Sequence, residues 1–267
     1  MVSHSRKKIG LIGFGQIGNS LYQEIQNNQD LGMKVTFIYE ANPDAAENIP
    51  AQLRLPSMND FSTYKPDLVV EAAHPDAVSQ YAETVLQTSD LMIMSVSALG
   101  DSDLEARLRT CCRENATRLF IPHGAVVGLD GLKDGLSVWE QVTITMIKNP
   151  VNLNFDYAPN IEREDITQKT ILYDGPTRAI LPNYPKNVNS HATLALATLG
   201  LDRTHSILIA DPEQKDSVII IEAMGQGNRI YIERKNPIKG VTGKLTILSV
   251  IETIKNIFGE QKAIQVI

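Results

Sequence analysis

Apolar positions along the chain fall into two textures. Up to about residue 122, short apolar runs alternate with stretches whose apolar residues recur every three or four positions. Ile9–Ile12 reads as a buried strand, followed by a glycine turn and a helix over about Ile17–Asn27, where Ile17, Leu21 and Ile25 are spaced by four. Further strands are expected at Val35–Tyr39, Leu68–Glu71, Leu91–Ser95 and Leu119–Ile121. Helices are expected at Pro75–Gln87 and Ser102–Glu114, with Pro75 at a favoured first-turn position. This alternation predicts βαβ units around a doubly wound parallel sheet.

Beyond residue 123 the strands come closer together. Val142–Ile147, Lys169–Tyr173, Ser206–Ala210, Val218–Ala223 and Ile230–Arg234 read as a mixed or antiparallel sheet joined by turn signals such as Asn149-Pro150 and Gly225–Asn228. Helices are expected near Thr177–Leu181 and at Val188–Leu199, and an amphipathic helix at Lys244–Phe258, placed so that it can pack back on the first domain. The expected fold is α/β: a first domain over 1–122 with a doubly wound parallel sheet, and a C-terminal α+β domain over 123–243 with a mixed or antiparallel sheet.

Composition narrows the function classes. Apolar residues at 43% and charged residues at 21% are ordinary for a soluble globular protein. Aromatics at 6% and a net charge of −6 argue against a nucleic-acid partner, through base stacking and phosphate contacts respectively. A small anionic substrate needs only a few local cations and stays compatible with that charge. Runs such as Leu91–Val96 are far shorter than the ~18 residues of a membrane span. The basic start is followed by an apolar stretch broken by Gly10, Gly13, Gly15 and Gly18, which is not a signal peptide. Cys111 and Cys112 are adjacent, which fits reduced thiols rather than a disulfide or a metal site. A cytoplasmic protein without a bound metal is expected.

The sharpest chemical signal is Gly13-Phe14-Gly15-Gln16-Ile17-Gly18, a G-x-G-x-x-G run between the first strand and its helix. Gly13 permits the tight turn, Gly15 lets a pyrophosphate approach the backbone, and Gly18 allows close helix–strand packing, while Gln16 and Ile17 open the helix that faces the phosphates. Glu40 ends the second strand at close to the usual spacing of about 20 residues. Its carboxylate suits the ribose hydroxyls and repels a 2′-phosphate, so NAD is expected over NADP. Ala73 and His74, at the turn after Leu68–Glu71, fall on the rim of the same Rossmann-type site.

Several segments together resemble the L-aspartate dehydrogenase family: Val69–Val78, Ser95–Leu99, Ile121-Pro122-His123-Gly124-Ala125-Val126-Val127-Gly128-Leu129-Asp130, Pro185–Asn189, Ala192–Ala197 and Ala210-Asp211-Pro212. The resemblance implies a Rossmann domain followed by a substrate domain, with the active site in a cleft between them. It implies NAD-linked oxidation of aspartate through iminosuccinate to oxaloacetate and ammonia, or the reverse. It also implies that Ala125 and Asn189 contact the nicotinamide side of the cofactor. The residues alone equally allow Ala125 as a small residue in a tight loop and Asn189 as the cap of a helix over Ser190–Leu199.

The family's catalytic histidine is expected in an Asn-x-His shortly after the Asp-Pro pair, and that position holds Ile219. Two other histidines, His123 and His191, stand where the family carries small residues. Histidine can serve as a general acid–base near neutrality, so the pair is a candidate relocated polar centre for a different imine or carbonyl substrate. The bland reading is that both merely hydrogen-bond nearby backbone. Lys148 is the third candidate, as a holder of a substrate carboxylate, although a lysine ending a strand is more often solvated. His205 and His4 read as solvated. The functional classes left open are an amino-acid dehydrogenase or imine reductase acting on a small-molecule substrate, and an NAD(H)-binding protein without turnover. A homodimer is expected from the frequency of two-fold assemblies.

Overall fold

The computed structural model describes residues 6–237 and 244–259; His4 lies outside them. In chain order the first half holds β1 (Lys7–Ile12), α1 (Gln16–Asn27), β2 (Met33–Tyr39), α2 (Pro43–Ala46), β3 (Leu68–Glu71), α3 (Pro75–Leu86), β4 (Asp90–Ile93), α4 (Ser102–Asn115) and β5 (Leu119–Phe120). The second half holds α5 (Leu129–Asp134), β6 (Gln141–Lys148), β7 (Thr170–Pro176), α6 (Thr177–Ile180), α7 (Asn189–Ala197), β8 (His205–Ala210), β9 (Asp216–Gly225), β10 (Asn228–Pro237) and α8 (Lys244–Phe258).

The chain divides into two compact units. The first comprises 1–94, 107–122 and 245–267, and the second 95–106 and 123–244. The expected boundary put 95–106 in the first domain; its contacts place it in the second unit instead. Ser97 ties it there, its N–H donating to Asn189 Oδ1 at 2.9 Å and its hydroxyl to the Pro185 carbonyl at 2.8 Å. Arg178 adds an ion pair to Glu105 at 3.2 Å and donates to the carbonyls of Leu99 and Gly100.

The first unit is a five-stranded parallel sheet in the order β2-β1-β3-β4-β5. Its inner strand β3 is buried along its whole length, as expected of a parallel strand covered on both faces. From α1, Gly18, Leu21 and Ile25 face the core at helical spacing. Val250, Ile251 and Ile254 of α8 join Ile9, Leu11 and Val70 in the same apolar cluster.

The second unit is built on a mixed five-stranded sheet, β10-β9-β6-β8-β7, in which β6 and β8 run parallel and the other neighbours antiparallel. Along β6, Val142, Ile144, Met146 and Lys148 point to the buried face, while the alternate residues are exposed or half-buried. The helix α7 packs on β6 and carries six consecutive buried residues, Ser190–Ala195.

Candidate active site

In the first unit, β1 runs straight into the glycine turn. Gly13 has φ +95°, a left-handed conformation that an L side chain rarely adopts. A Cβ on Gly18 would stand 2.2 Å from the Gly13 carbonyl oxygen, so the start of α1 can lie against the turn only without one. A Cβ on Gly15 would meet nothing within 4 Å, which leaves the backbone there open to a ligand. No side chain caps α1 and no acid stands in its first turn. Its free N–H groups and the positive end of its dipole therefore suit a phosphate.

Glu40 closes the other side. Its carboxylate accepts the N–H of Phe14 at 2.7 Å and that of Asn42 at 2.9 Å. These bonds fix the acid beside the glycine turn and leave lone pairs for a ribose diol. Gly13, Gly15, Glu40, Ala73 and His74 all border one cavity of about 400 Å³, large enough for the adenosine half of a dinucleotide. Among the described residues no arginine or lysine lines it, so no permanent cation stands there to neutralise a 2′-phosphate.

The Ala73–His74 rim has its own support. Glu71 is 1% exposed, and its carboxylate accepts the N–H groups of Ala73 at 2.8 Å and Met94 at 3.2 Å. It thereby pins the β3 turn to the end of β4. His74 caps α3 through Nδ1, which accepts the Asp76 N–H at 3.4 Å.

The second unit concentrates its unusual chemistry on the buried face of its sheet. Lys148 is 4% exposed, not solvated, and both burial and the charge of Arg234 lower its affinity for a proton, to a pKa of about 8. His191 is 0% exposed. Burial, with the charge of Lys148, pushes it down to about 3, so its imidazole is neutral throughout the physiological range. Neither ring nitrogen has a hydrogen-bond partner among the described residues. Ile219 is 3% exposed and lies between Met146 of β6 and Arg234 of β10 in the strand register.

Comparison with known proteins fits both units. Residues 13–122 match the NAD binding domain model of homoserine dehydrogenase, and residues 130–257 match the C-terminal model of aspartate dehydrogenase. The L-aspartate dehydrogenase of Nitrosopumilus maritimus (strain SCM1) is 32% identical over 264 residues, covering 93% of this chain and 96% of that one. The chain belongs to the L-aspartate dehydrogenase family. An aspartate dehydrogenase domain-containing protein of Xenopus tropicalis is 30% identical, over 93% of this chain and 94% of that relative. Among solved structures, aspartate dehydrogenase from Thermotoga maritima superposes with a TM-score of 0.77 at 26% identity, covering 97% of this chain and 99% of that one. A hyperthermophilic archaeal homoserine dehydrogenase in complex with NADPH shares the fold, with a TM-score of 0.58 at 14% identity. Membership makes the chain an oxidoreductase with a Rossmann-type domain for a nicotinamide dinucleotide.

The remaining residues predicted for the family's site lie in the second unit. His123 is exposed, and its Nδ1 lies 3.1 Å from the Val126 carbonyl oxygen, closing a turn that holds Ala125 half-buried. The two histidines considered as a pair thus occupy opposite settings, one exposed and one buried. Asn189 is the first residue of α7 rather than its cap, a position taken by Val188. Its side-chain oxygen accepts the Ser97 N–H instead of capping the helix. His205 is half-exposed and pairs with Asp174 at 2.6 Å. Three contributors escaped sequence reading. Glu71 carries a local signal, a lone acid ending an apolar strand. Arg178 and Arg234 carry none, because their partners come from segments far away in the chain. Among the described residues no His, Cys, Asp and Glu cluster has the makings of a metal site, and no helix is long and apolar enough to cross a membrane.

Proposed function

We propose that the protein is an NAD-dependent amino-acid dehydrogenase of the aspartate type, acting between a small amino acid and its imine or 2-oxo acid. The carrying observation is the first-unit cavity, where the open Gly15 backbone and the fixed carboxylate of Glu40 provide phosphate and ribose contacts in a chain of this family. Bound NAD would supply the hydride acceptor, and Glu40 with the cation-free lining supports NAD over NADP. On the substrate side we assign Lys148. In its charged form it holds a carboxylate, and its burial puts its proton exchange close to physiological pH. Ala125 and Asn189 are proposed nicotinamide-side contacts.

Ile219 has no proton to give or take, and it is 3% exposed at the position where the family's catalytic histidine is expected. This favours a second reading, an NAD(H)-binding protein without turnover. One assay separates the two: NADH oxidation with oxaloacetate and ammonia, repeated with NADPH, beside a titration of NADH binding by fluorescence. Turnover with NADH well above that with NADPH supports the dehydrogenase. Binding of NADH without turnover on oxaloacetate or other 2-oxo acids rejects it in favour of the second reading.

A further inference from the structure

The buried face of the second sheet carries two cationic side chains, Lys148 and Arg234, that no carboxylate pairs with among the described residues, and the helix α7 packed on β6 carries the neutral His191. Lys148 ends β6, and Arg234 stands across β9, two strands away, opposite Ile219. Alternation along β6 and β10 puts Lys148 on the face of Met146 and Arg234 on the more buried side of its edge strand. The charge of Arg234 reaches Lys148 and lowers its proton affinity, and the charge of Lys148 does the same to His191 on α7. Burial acts on all three in the same direction, and among the described residues no carboxylate offsets it. Neither cation has an ion pair among the described residues, although Glu233 and Lys235, the neighbours of Arg234 in sequence, pair with each other at 2.7 Å. His191 adds a ring N–H with no acceptor.

Folded proteins rarely gather two buried or half-buried cations without an acid between them, because desolvation and repulsion then act in the same direction. A ligand anion relieves both at once. We propose that Lys148, Arg234 and His191 form an anion cradle that takes a carboxylate of a dicarboxylic substrate, and that Arg234 is the residue selecting it over a monocarboxylic one. The guanidinium offers two parallel N–H donors that match a carboxylate's two oxygens, Lys148 adds a point charge, and His191 a neutral donor. This assignment rests on the dehydrogenase reading for the identity of the substrate, but not for the anion site itself.

The test uses the full chain and the variants Arg234→Gln, Arg234→Lys and Lys148→Met. Two readouts are needed. The first is steady-state turnover with ammonia and either oxaloacetate or pyruvate, which differ by one carboxylate. Arg234→Gln is expected to raise KM for oxaloacetate about 30-fold, the worth of one charged hydrogen-bond pair. It should leave kcat/KM for pyruvate within about threefold, and Arg234→Lys should recover part of the loss. The second is calorimetric binding of succinate, an unreactive dicarboxylate, expected in the native protein and lost in Arg234→Gln and Lys148→Met while NADH binding is unchanged. Succinate binding that depends on Arg234 in a protein without turnover upholds the cradle and defeats the dehydrogenase reading. Oxaloacetate turnover that is indifferent to Arg234→Gln overturns the cradle and leaves the enzyme standing. Absence of both turnover and succinate binding overturns both.

Discussion

Replacing Lys148 by Met is expected to make the protein more stable and less able to bind its substrate. Burial and the charge of Arg234 bring the Lys148 ammonium from 10.5 to about 8. At ~1.4 kcal/mol for each tenfold in proton affinity, keeping it charged at pH 7 costs the folded state about 3 kcal/mol. The sign follows from the direction of the shift. The unfolded chain holds this proton more tightly, so the penalty is fully present below the folded value of about 8 and disappears as pH rises through 10.5. Methionine keeps an unbranched side chain of similar length without the charge. Urea unfolding of the two proteins should therefore show the variant ahead by up to about 3 kcal/mol at pH 7 and by about 1 kcal/mol at pH 10. Comparing the difference between proteins at each pH cancels the other groups that titrate over that range. Succinate should close part of the gap at pH 7, by stabilising only the native protein. A variant less stable than the native protein at pH 7, or a stability difference that does not change with pH, would refute the claim that Lys148 is an unrelieved cation.

Three further outcomes are expected from the geometry. Glu40→Ser removes the acceptor of the Phe14 and Asn42 N–H groups and the charge that repels a 2′-phosphate; the NADH-to-NADPH affinity ratio should fall at least about tenfold, read by fluorescence titration. Gly18→Ala drives a methyl to 2.2 Å from the Gly13 carbonyl, so NADH binding should be lost or severely weakened, with calorimetry on the same sample showing whether the fold survives. Arg178→Met breaks the pairs to Glu105 and Asp202 and the bonds to Leu99 and Gly100; a loss of about 2 kcal/mol is expected in urea unfolding, as for half-buried charged hydrogen bonds.

The parallel half of the fold was legible element by element, the short α2 apart, because its signals are local. A strand, a glycine turn and an amphipathic helix are each written within a dozen positions, and the acid ending β2 falls at a spacing set by the βαβ geometry itself. Glycine at 13 and 18 was a statement about backbone conformation and clearance, and the φ of +95° and the 2.2 Å approach show the same two constraints in space. The mixed sheet was readable as strands and helices but not as an order, since β10-β9-β6-β8-β7 departs from the order of the chain. Segment 95–106 was assigned to the wrong side for the same reason: its partners, Arg178 and Asn189, lie some eighty to ninety residues on.

Chemistry at the second unit divides along that line too. The dinucleotide motif, the lack of a proton donor at position 219, and the candidates His123, His191 and Lys148 are all legible in the order of residues. What each candidate can do follows from the fold, because a proton affinity depends on desolvation and on neighbouring charge rather than on residue type. Burial leaves His191 neutral, exposure leaves His123 on the surface, and packing under α7 turns a strand-ending lysine into a buried cation beside an arginine 86 positions away, counted from 148 to 234.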